Sequence, residues 1–316
     1  MNVLVTGGSG FIGSHFIEAA LRRPFIKSLV NIDKWTYAAN KELPFDRDLR
    51  YSSFKLDIND AEIDDIILSR EISHVVHFAA ESHVDNSIKD PSVFIKTNIN
   101  GTYNLLDICK RHKKIKKFIH VSTDEVFGSL GFEDAPFSTK SAYKPNSPYA
   151  ASKACSDLLV RSYVKTFKFP AIITNCSNNF GPRQFPEKLI PLAVKRIKNL
   201  EPVPIYGKGD NIRDWIYVKD HVNALILILL NGRIGGQYLI GGNNEIRNID
   251  LIHKIYSICE KNTSSPLLKD YFSFVEDRKG HDVRYAIDFS DFQKDFPDFR
   301  LSDFEDSLEK TVLSYR

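Results

Sequence analysis

The sequence predicts an α/β fold built on a doubly wound parallel β-sheet. Short apolar runs, typical of buried strands, alternate with segments of helical periodicity from the N-terminus to about residue 180 of the 316. Glycine-rich and polar residues follow directly after these runs. Because ligands of such sheets bind where the strands end, the residues after each run form the candidate functional site.

A glycine-rich turn joins the first strand to the first helix. Residues 2–6 are a short β-rich run, residues 7–13 contain four glycines, and a helical pattern covers residues 14–22. Glycines let the backbone approach a pyrophosphate, and the N-terminus of the helix favours its negative charge. The turn fits either Gly8-x-Gly10-x-x-Gly13 or Gly7-x-x-Gly10-x-x-Gly13. Both readings predict a dinucleotide site.

A carboxylate follows the second apolar run. Residues 28–32 lead into Asp33, which stands 20 residues beyond Gly13, the usual distance to a residue that binds a ribose 2′-hydroxyl. A carboxylate at this place repels a 2′-phosphate, so the sequence predicts NAD rather than NADP. Lys34, the next residue in the chain, carries a positive charge that favours a 2′-phosphate and therefore NADP.

Further strands and helices continue the alternation. Strands are predicted at residues 74–80, 117–122 and 171–174, and long helices at 92–110 and 149–167. This order implies a Rossmann-like sheet with helices on both faces. We predict an NAD-binding domain over residues 1–180, to which 210–242 returns through a strand at 237–240. The remainder, mainly 181–316, is richer in proline and loops and is predicted to form a smaller substrate-binding domain.

Two residues on the second long helix are candidate acid–base groups. Tyr149 and Lys153 are four residues apart and therefore lie on one helix face. An ammonium near a phenol lowers the phenol pKa from its ordinary value of about 10, which suits Tyr149 to act as a base. This spacing also occurs by chance in many helices, and the glycine turn favours the catalytic interpretation.

Two adjacent carboxylates follow the strand at 117–122. Neighbouring residues on a strand point to opposite faces. We therefore expect the strand to end at about Ser122, with Asp124 and Glu125 on an irregular turn beside Thr123. Two carboxylates in one pocket take different protonation states, because ionising one disfavours ionising the other. The alternative is a solvated loop or a helix cap.

Composition and charge exclude several classes of function. A net charge of +3 is close to neutral for this length and suggests neither a nucleic-acid nor a membrane partner. The chain has neither a signal segment nor an apolar stretch of the roughly 18 residues that span a membrane, so we expect a cytoplasmic protein. The four cysteines are scattered and the histidines lack ligand spacing, so we expect no disulfide and no metal site.

Nearly the whole chain resembles the extended short-chain dehydrogenase/reductase family, and within it the nucleotide-sugar 4,6-dehydratases. The matching segments are residues 5–14, 31–34, 79–85, 122–128, 147–153, 175–182, 185–191, 212–215 and 277–282. Thr123-Asp124-Glu125 is the most specific of them, because the epimerases of the family carry other residues in place of the two carboxylates.

The resemblance implies NAD-dependent dehydration of a nucleotide-diphosphate glucose, with dTDP-glucose as the expected substrate. Tyr149 would take the O4 proton during oxidation at C4, while Thr123 bonds the same oxygen and Lys153 binds the nicotinamide ribose. The C4 ketone makes C5–H acidic. Glu125 would then remove the C5 proton and a protonated Asp124 would donate to the departing C6 hydroxyl. Hydride return to C6 completes a 4-keto-6-deoxy sugar.

The resemblance also supplies the remaining site residues. For the cofactor NAD these are Gly7, Gly10, Phe11, Ile12, Gly13, Asp33, Lys34, Thr36, Asp57, Ile58, Ala79, Ala80, Ser82, Thr97, Tyr149, Lys153 and Asn179. For the nucleotide sugar they are Ser82, Thr123, Asn178, Glu187, Lys188, Leu189, Pro204, Tyr206, Arg213, Asn248, Arg278 and His281. A homodimer that pairs the two long helices into a four-helix bundle is implied as well.

Substrate identity stays open among several alternatives. Asn86 stands where dTDP-glucose dehydratases usually carry an arginine, which removes a charge near the pocket. A UDP-glucose or UDP-N-acetylglucosamine 4,6-dehydratase is the nearest alternative, and a nucleotide-sugar 4-epimerase is a weaker one. A non-catalytic NAD-binding scaffold or sensor is the alternative from a different class.

Overall fold

The structure, a computed structural model, describes residues 1–315. Its centre is a seven-stranded, wholly parallel sheet with the strand order β3-β2-β1-β4-β5-β6-β10. These strands are β1 (Asn2–Thr6), β2 (Ser28–Asp33), β3 (Tyr51–Lys55), β4 (His74–His77), β5 (Lys117–Thr123), β6 (Ala171–Cys176) and β10 (Gln237–Ile240). The predicted α/β fold with a doubly wound parallel sheet is confirmed.

Five short strands form two smaller sheets. Strands β7, β9 and β11 make a three-stranded sheet in the order β11-β9-β7, and β8 pairs with β12. Their bounds are β7 (Asn178–Phe180), β8 (Val203–Tyr206), β9 (Ile212–Tyr217), β11 (Glu245–Arg247) and β12 (Phe272–Val275).

The helices connect the strands and cover both faces of the large sheet. They are α1 (Phe11–Leu21), α2 (Ile63–Ser69), α3 (Val84–Lys89), α4 (Ser92–Phe94), α5 (Thr102–Arg111), α6 (Pro148–Phe167), α7 (Leu189–Lys198), α8 (Val218–Asn231), α9 (Asn248–Lys261), α10 (Ser290–Asp295) and α11 (Phe304–Ser314). Across residues 1–315, no helix combines the length and apolar character needed to cross a membrane.

Alternation along β1 places side chains in two separate cores. Val3 and Val5 join the larger core, which extends into the C-terminal part of the chain, whereas Leu4 joins the smaller core on the opposite face. Successive strand residues point to opposite faces, so a strand covered by helices on both sides is apolar throughout. The period-two pattern thus decides which of the two cores each strand residue joins.

The helix predicted at residues 92–110 is interrupted. A π-helix covers Ile95–Gly101 between α4 and α5, where the sequence predicts one continuous α-helix. Asn98 is buried in this segment, and its amide bonds Glu81 and Ser152. Single π turns occur frequently at functional sites because they turn a side chain away from the regular helical positions.

Residues 210–242 divide between the sheets. Strand β9 belongs to the three-stranded sheet, while β10 pairs with β6 in the large one. Helix α8, between them, contributes Val218, Val222 and Leu225 to the larger core, which also contains Phe16 and Ile17 of α1. The boundary at residue 180 and the two-domain division stay predictions, because the larger core continues across them.

Candidate active site

A cleft opens at the carboxyl ends of the large sheet, and the glycine turn forms its floor. Gly7 has φ of +74°, and a Cβ on it would lie 2.7 Å from the Ala79 nitrogen. A Cβ on Gly13 would lie 2.3 Å from the Gly7 carbonyl oxygen. Only glycine fits this close turn, which leaves room for a diphosphate against the backbone.

Helix α1 presents uncapped amides to that floor. Its N-cap is Gly10, which has no side chain to accept a hydrogen bond from the first turn, and the first turn holds no acidic residue. Free N–H groups at a helix N-terminus bind anions. The glycine turn (residues 7–13) and the N-terminus of α1, together called the Gly7 cradle, therefore fit the diphosphate of a dinucleotide.

The structure distinguishes the two readings of the glycine motif. Gly7, Gly10 and Gly13 line the cleft. Gly8 instead packs against β2, where its N–H donates to Asn31 Oδ1 at 2.9 Å. The reading Gly7-x-x-Gly10-x-x-Gly13 is the one that faces the ligand space.

Asp33 ends β2 at the side of the cleft. Its two carboxylate oxygens accept the Ser9 and Trp35 N–H groups at 2.9 and 2.8 Å, which fixes its orientation, and burial raises its pKa. The Lys34 ammonium lies 2.8 Å from Asp57. Because Asp57 offsets that charge, Lys34 does not offer an isolated cation to a 2′-phosphate.

The loop after β4 is tied to the π-helix. Asn98 Oδ1 accepts the Glu81 N–H at 2.8 Å, and its Nδ2 donates to the Glu81 carbonyl at 3.0 Å. The same Nδ2 donates to Ser152 Oγ of α6 at 2.8 Å. Asn98 thus joins the loop at Ala79–Ser82 to the helix that carries Tyr149. Sequence reasoning missed Asn98, whose signal was a polar residue on the buried face of the predicted helix at 92–110.

Thr123, Asp124 and Glu125 lie at the junction of β5 with a short 3₁₀ turn. Strand β5 extends through Thr123 and the turn covers Asp124–Phe127, so the irregular turn expected for the two carboxylates is present. Thr123 Oγ1 accepts the Glu125 N–H at 3.3 Å and donates to Asp124 Oδ1 at 3.2 Å. The hydroxyl therefore holds both residues in place.

The environments of the two carboxyl groups differ. Burial, and then the neighbouring Glu125, raise the pKa of Asp124 well above its ordinary value. Asp124 Oδ2 is buried without a hydrogen-bond partner among residues 1–315, which suits a protonated acid with a proton to donate. Burial also raises the pKa of Glu125, but Lys188, Arg213 and Arg278 act in the opposite direction. Asp124 is therefore the better acid and Glu125 the better base.

Tyr149 and Lys153 occupy the first turns of α6. Ser147 caps this helix by accepting the Ala150 N–H at 3.1 Å, and Pro148 occupies its first position. Lys153 is buried, and its Nζ donates to the Val121 carbonyl at 2.9 Å. Burial lowers the Lys153 pKa to about 8.

The expected lowering of the Tyr149 pKa is wrong. Burial raises the Tyr149 pKa well above its ordinary value, and Glu125, Cys176 and Asp124 raise it further. The Thr123 hydroxyl offsets part of this rise. Desolvation and three acidic neighbours outweigh an ammonium that is bonded to the Val121 carbonyl, so spacing alone did not predict the direction.

A second wall of the cleft comes from residues after β6. Asn179 Oδ1 contacts His221 Nδ1 at 2.8 Å, and its Nδ2 donates to the Ser177 carbonyl at 3.0 Å. Lys188 Nζ donates to the Ser82 carbonyl at 2.9 Å, and this contact links the two walls. Burial lowers the pKa of Lys188.

Most of the predicted site residues meet in this cleft. Those in its wall are Gly7, Gly10, Phe11, Ile12, Gly13, Asp33, Lys34, Thr36, Asp57, Ile58, Ala79, Ala80, Ser82, Thr97, Thr123, Asp124, Glu125, Tyr149, Lys153, Asn178, Asn179, Glu187 and Lys188. The structure does not place Leu189, Pro204, Tyr206, Arg213, Asn248, Arg278 and His281 in that wall.

Several of the outlying residues form a basic and aromatic group beyond Glu125. The Arg278 guanidinium lies 4.9 Å from the Tyr206 ring centre, and its Nη2 donates to Asp85 at 2.9 Å. His281 packs edge-on against the same ring at 6.2 Å. Arg213 is buried and donates to the Asp282 carbonyl at 2.9 Å. The charges of Arg213 and Arg278 act against the raised pKa of Glu125, which is a residue of the cleft wall.

The other outlying residues make local contacts. Leu189 begins α7 and packs against the larger core, and Pro204 lies within β8. Asn248 begins α9, and its Oδ1 is buried without a partner among residues 1–315. Asn86 Nδ2 donates to the Tyr37 hydroxyl at 3.4 Å, so it belongs to the rim near Glu187. No group of three or more His, Cys, Asp and Glu residues suited to a metal ion was found in the described chain.

Comparison with known proteins gives a consistent set of matches. A family model described as GDP-mannose 4,6 dehydratase matches residues 4–299. The chain is 44% identical to the dTDP-glucose 4,6-dehydratase of Neisseria meningitidis serogroup B, across 99% of this chain and 92% of that protein. It is also 44% identical to dTDP-glucose 4,6-dehydratase 1 of Escherichia coli K12, across 100% of this chain and 92% of that one.

A solved structure matches the complete architecture. The crystal structure of DesIV, a dTDP-glucose 4,6-dehydratase from Streptomyces venezuelae, contains NAD and TYD. It matches with a TM-score of 0.94 at 40% identity and covers 100% of this chain and 97% of that one. The family match includes the glycine turn, the 3₁₀ turn and the start of α6.

Proposed function

The chain belongs to the GDP-mannose 4,6 dehydratase family, and from that premise we propose that it dehydrates dTDP-glucose to the 4-keto-6-deoxy sugar nucleotide. All three relatives named above are dTDP-glucose 4,6-dehydratases, and each is at least 40% identical to this chain. The observation that carries the proposal is the pair of unlike carboxyl groups, Asp124 and Glu125, on one turn beside Tyr149 and Lys153. Oxidation alone needs no second carboxyl group, whereas elimination of water needs an acid and a base.

NAD is the cofactor that the cleft fits. The Gly7 cradle and the uncapped N-terminus of α1 suit its diphosphate, and Asp33 suits the ribose 2′-hydroxyl. When bound, NAD⁺ accepts a hydride from C4 of the sugar and returns it to C6. The pairing of the Lys34 ammonium with Asp57 supports NAD over NADP.

Tyr149, Thr123 and Lys153 serve the oxidation. Tyr149 takes the proton of the O4 hydroxyl, and the Thr123 hydroxyl beside it bonds the same oxygen. Lys153 bonds the ribose of the nicotinamide nucleotide, and its charge favours the phenolate. The pKa of Lys153 is about 8, which is still above neutral pH, so the side chain stays mostly protonated there.

Asp124 and Glu125 serve the elimination. Glu125 removes the proton from C5, which the C4 ketone has made acidic, and Asp124 protonates the departing C6 hydroxyl. Their environments match these roles. The pKa of Asp124 is raised well above its ordinary value, whereas three cations offset part of the rise in the pKa of Glu125.

Three cations near Glu125 are proposed to bind the nucleotide diphosphate. Lys188, Arg213 and Arg278 supply charge, and His281 and Asn248 supply further polar contacts. Arg278 is paired with Asp85 in the structure, so a diphosphate that binds Arg278 exchanges one anionic partner for another. The Tyr206 ring under Arg278 is available to stack on a base.

Mass spectrometry tests the assignment directly. Purified protein with NAD⁺ is incubated separately with dTDP-glucose, UDP-glucose and UDP-N-acetylglucosamine. We expect dTDP-glucose to lose one water faster than either UDP sugar. A product of unchanged mass would mean epimerisation, faster loss of water from a UDP sugar would reassign the substrate, and no turnover of any sugar would favour a non-catalytic scaffold.

A homodimer through the two long helices is part of the proposal. Ile95, Tyr103 and Leu158 are 50%, 52% and 54% exposed on the surfaces of the π-helix, α5 and α6, and such apolar faces favour association. We expect twice the chain mass of 36.1 kDa by light scattering, and a monomer for Leu158→Glu. A parental monomer would contradict the four-helix bundle.

The cytoplasm is the proposed location. All four cysteines, Cys109, Cys155, Cys176 and Cys259, are free, as in proteins of reducing compartments. Fractionation of the source cells, with activity found in the cytoplasmic fraction, tests this location.

A further inference from the structure

A carboxylate with no role so far lies one helical turn behind Lys153. Asp157 is on the same face of α6, four residues after Lys153 and eight after Tyr149. Both Asp157 and Lys153 are buried, with 0% and 3% of their surfaces exposed. A buried carboxylate and a buried ammonium one turn apart stabilise each other's charge, because neither charge is solvated by water.

Hydrogen bonds from outside α6 hold the Asp157 carboxylate. Its Oδ2 accepts the Tyr143 hydroxyl at 2.9 Å and Asn175 Nδ2 at 3.1 Å. Gln237 of β10 donates to both of these partners, to the Tyr143 oxygen at 3.2 Å and to Asn175 Oδ1 at 2.8 Å. These donors come from three segments outside α6 and fix the orientation of the carboxylate.

The same group of residues contacts the catalytic turn. Asn175 Nδ2 also donates to the Thr123 carbonyl at 3.0 Å, so one amide bonds the Asp157 carboxylate and the strand end that carries Thr123. Lys153 donates to the carbonyl of Val121 on the same strand. Asp157, Lys153 and the end of β5 are therefore held together as one unit.

We propose that Asp157 is a positioning residue of the reaction: its carboxylate, held by Tyr143 and Asn175, keeps the buried Lys153 side chain protonated, and through that charge makes Tyr149 available as the base. This proposal rests on the proposed function for its catalytic consequence. Its electrostatic part concerns the protein alone and is measurable without turnover.

Other titratable groups face this unit from each packed element. From β5, His120 Nε2 lies 3.1 Å from Asp157 Oδ1, and burial and Lys153 lower the pKa of His120. From β4, His77 stays neutral because burial lowers its pKa. From β6, Cys176 stays a thiol, since burial raises its pKa. Asp157 is thus the charge that opposes the loss of the Lys153 proton.

The remaining charges lie farther along the same elements. Asp124 and Glu125 act on Tyr149 rather than on Lys153. Arg161 lies four residues after Asp157 on α6 and is exposed. Its charge acts to lower the pKa of Tyr143, but burial raises that pKa more strongly. Burial lowers the Lys153 pKa to about 8 and Asp157 is the main factor that raises it, in agreement with the geometry.

Unfolding of the cofactor-free protein tests the electrostatic part. Lys153 binds its proton more weakly when folded, at a pKa of about 8, than when unfolded, at about 10.4. Its contribution to stability therefore rises with pH only above about pH 8, where the unfolded chain holds more protons. In Asp157→Asn the folded pKa falls further, so the rise begins at a lower pH.

We expect urea titrations between about pH 6 and 8 to separate the variants. The unfolding constant of Asp157→Asn, divided by that of the parent, should fall with rising pH, approaching about tenfold per pH unit. Asp157→Glu, which keeps the charge, should show a smaller slope. Asp220→Asn is the matched control, because Asp220 is a buried carboxylate of α8 that accepts hydrogen bonds from Ser302. Burial raises the pKa of Asp220, and above that pKa the variant should lose stability equally at every pH.

A pH profile tests the catalytic part. In a Glu125→Gln background, oxidation at C4 is followed by the near-ultraviolet absorbance of enzyme-bound NADH. The rate should fall as Lys153 loses its proton, so Asp157→Asn should move the alkaline limb down from about pH 8 by at least about one pH unit, a loss of at least about fivefold at pH 8. Tyr143→Phe, which removes one donor to Asp157, should move it less and in the same direction.

The outcomes are distinguishable. Parallel pH dependences of unfolding for Asp157→Asn and Asp220→Asn would overturn the proposal, whatever the activity. A shifted unfolding dependence with an unshifted rate profile would leave Asp157 a charge partner of Lys153 without a role in the reaction. A parent that oxidises no sugar nucleotide would overturn the proposed function, while the unfolding experiment would still decide the electrostatic part.

Discussion

Asp124→Asn is the substitution that separates elimination from oxidation. The side chain is 2% exposed, its Oδ1 accepts the Thr123 hydroxyl, and its Oδ2 has no partner among residues 1–315. Because the raised pKa of Asp124 already favours the neutral acid, asparagine matches its shape and its lack of charge. We therefore expect the variant to fold with the stability of the parent.

The expected effect lies in one step of the reaction. Asparagine can donate a hydrogen bond to the C6 hydroxyl but cannot transfer a proton to it. A positioned general acid contributes about 10²- to 10⁴-fold to a proton-transfer step, so dehydration should slow by about that factor. In the proposed mechanism oxidation at C4 uses Tyr149, Thr123 and Lys153, so it should continue and bound NADH and a 4-keto sugar should accumulate.

Rapid-mixing absorbance of NADH and mass spectrometry of the quenched sugar measure the two steps separately. Glu125→Gln should behave in the same way, since the C5 proton then has no base. Tyr149→Phe should suppress both steps. Dehydration at the parental rate by Asp124→Asn, or equal loss of oxidation in all three variants, would refute this division of roles.

Three further predictions concern the cofactor and stability. Gly7→Ala should weaken NAD binding by at least about tenfold in calorimetry, because the added Cβ lies 2.7 Å from the Ala79 nitrogen at a φ of +74°; an unchanged affinity would argue against the cradle. Asp33→Asn should raise the affinity for NADP relative to NAD by about tenfold, since it removes the charge that repels a 2′-phosphate, and an unchanged ratio would place the discrimination elsewhere. Burial lowers the pKa of His221 to about 3, so the unfolded chain binds an extra proton at this residue below about pH 6.5, and the contribution of His221 to the free energy of unfolding should fall by about 1.4 kcal/mol per pH unit as pH drops toward 4. His221→Gln should show a shallower fall in urea titrations, and an identical slope would mean that His221 is protonated in the folded state.

Local spacing explains how much of this site the sequence could predict. The distances from Gly7 to Gly13 and from there to Asp33 lie within one strand–helix–strand unit, so the spacing determines the geometry. The irregular turn at Asp124–Phe127 also follows from a local conflict, because two cooperating carboxylates cannot alternate along a strand. In each case the physical cause lies within a few residues or one regular element.

Contacts between distant segments explain what the sequence could not predict. The Asp85–Arg278 pair joins residues 193 positions apart, and Gln237 reaches Asn175 only because β10 pairs with β6. The π-helix that turns Asn98 toward Glu81 has no separate sequence signature. Asp157 did carry a local signal, its place one turn after Lys153, but its burial depends on strands that arrive later in the chain.

The protonation state of Tyr149 shows why spacing is insufficient for chemistry. Helical spacing places an ammonium near the phenol, yet burial, Glu125, Cys176 and Asp124 together raise the Tyr149 pKa well above its ordinary value. Spacing on one helix cannot predict this outcome, because the desolvation of the phenol and its acidic neighbours come from other elements of the fold. In the proposed mechanism, Asp124 and Glu125, which raise the Tyr149 pKa, are also the groups that carry out the elimination.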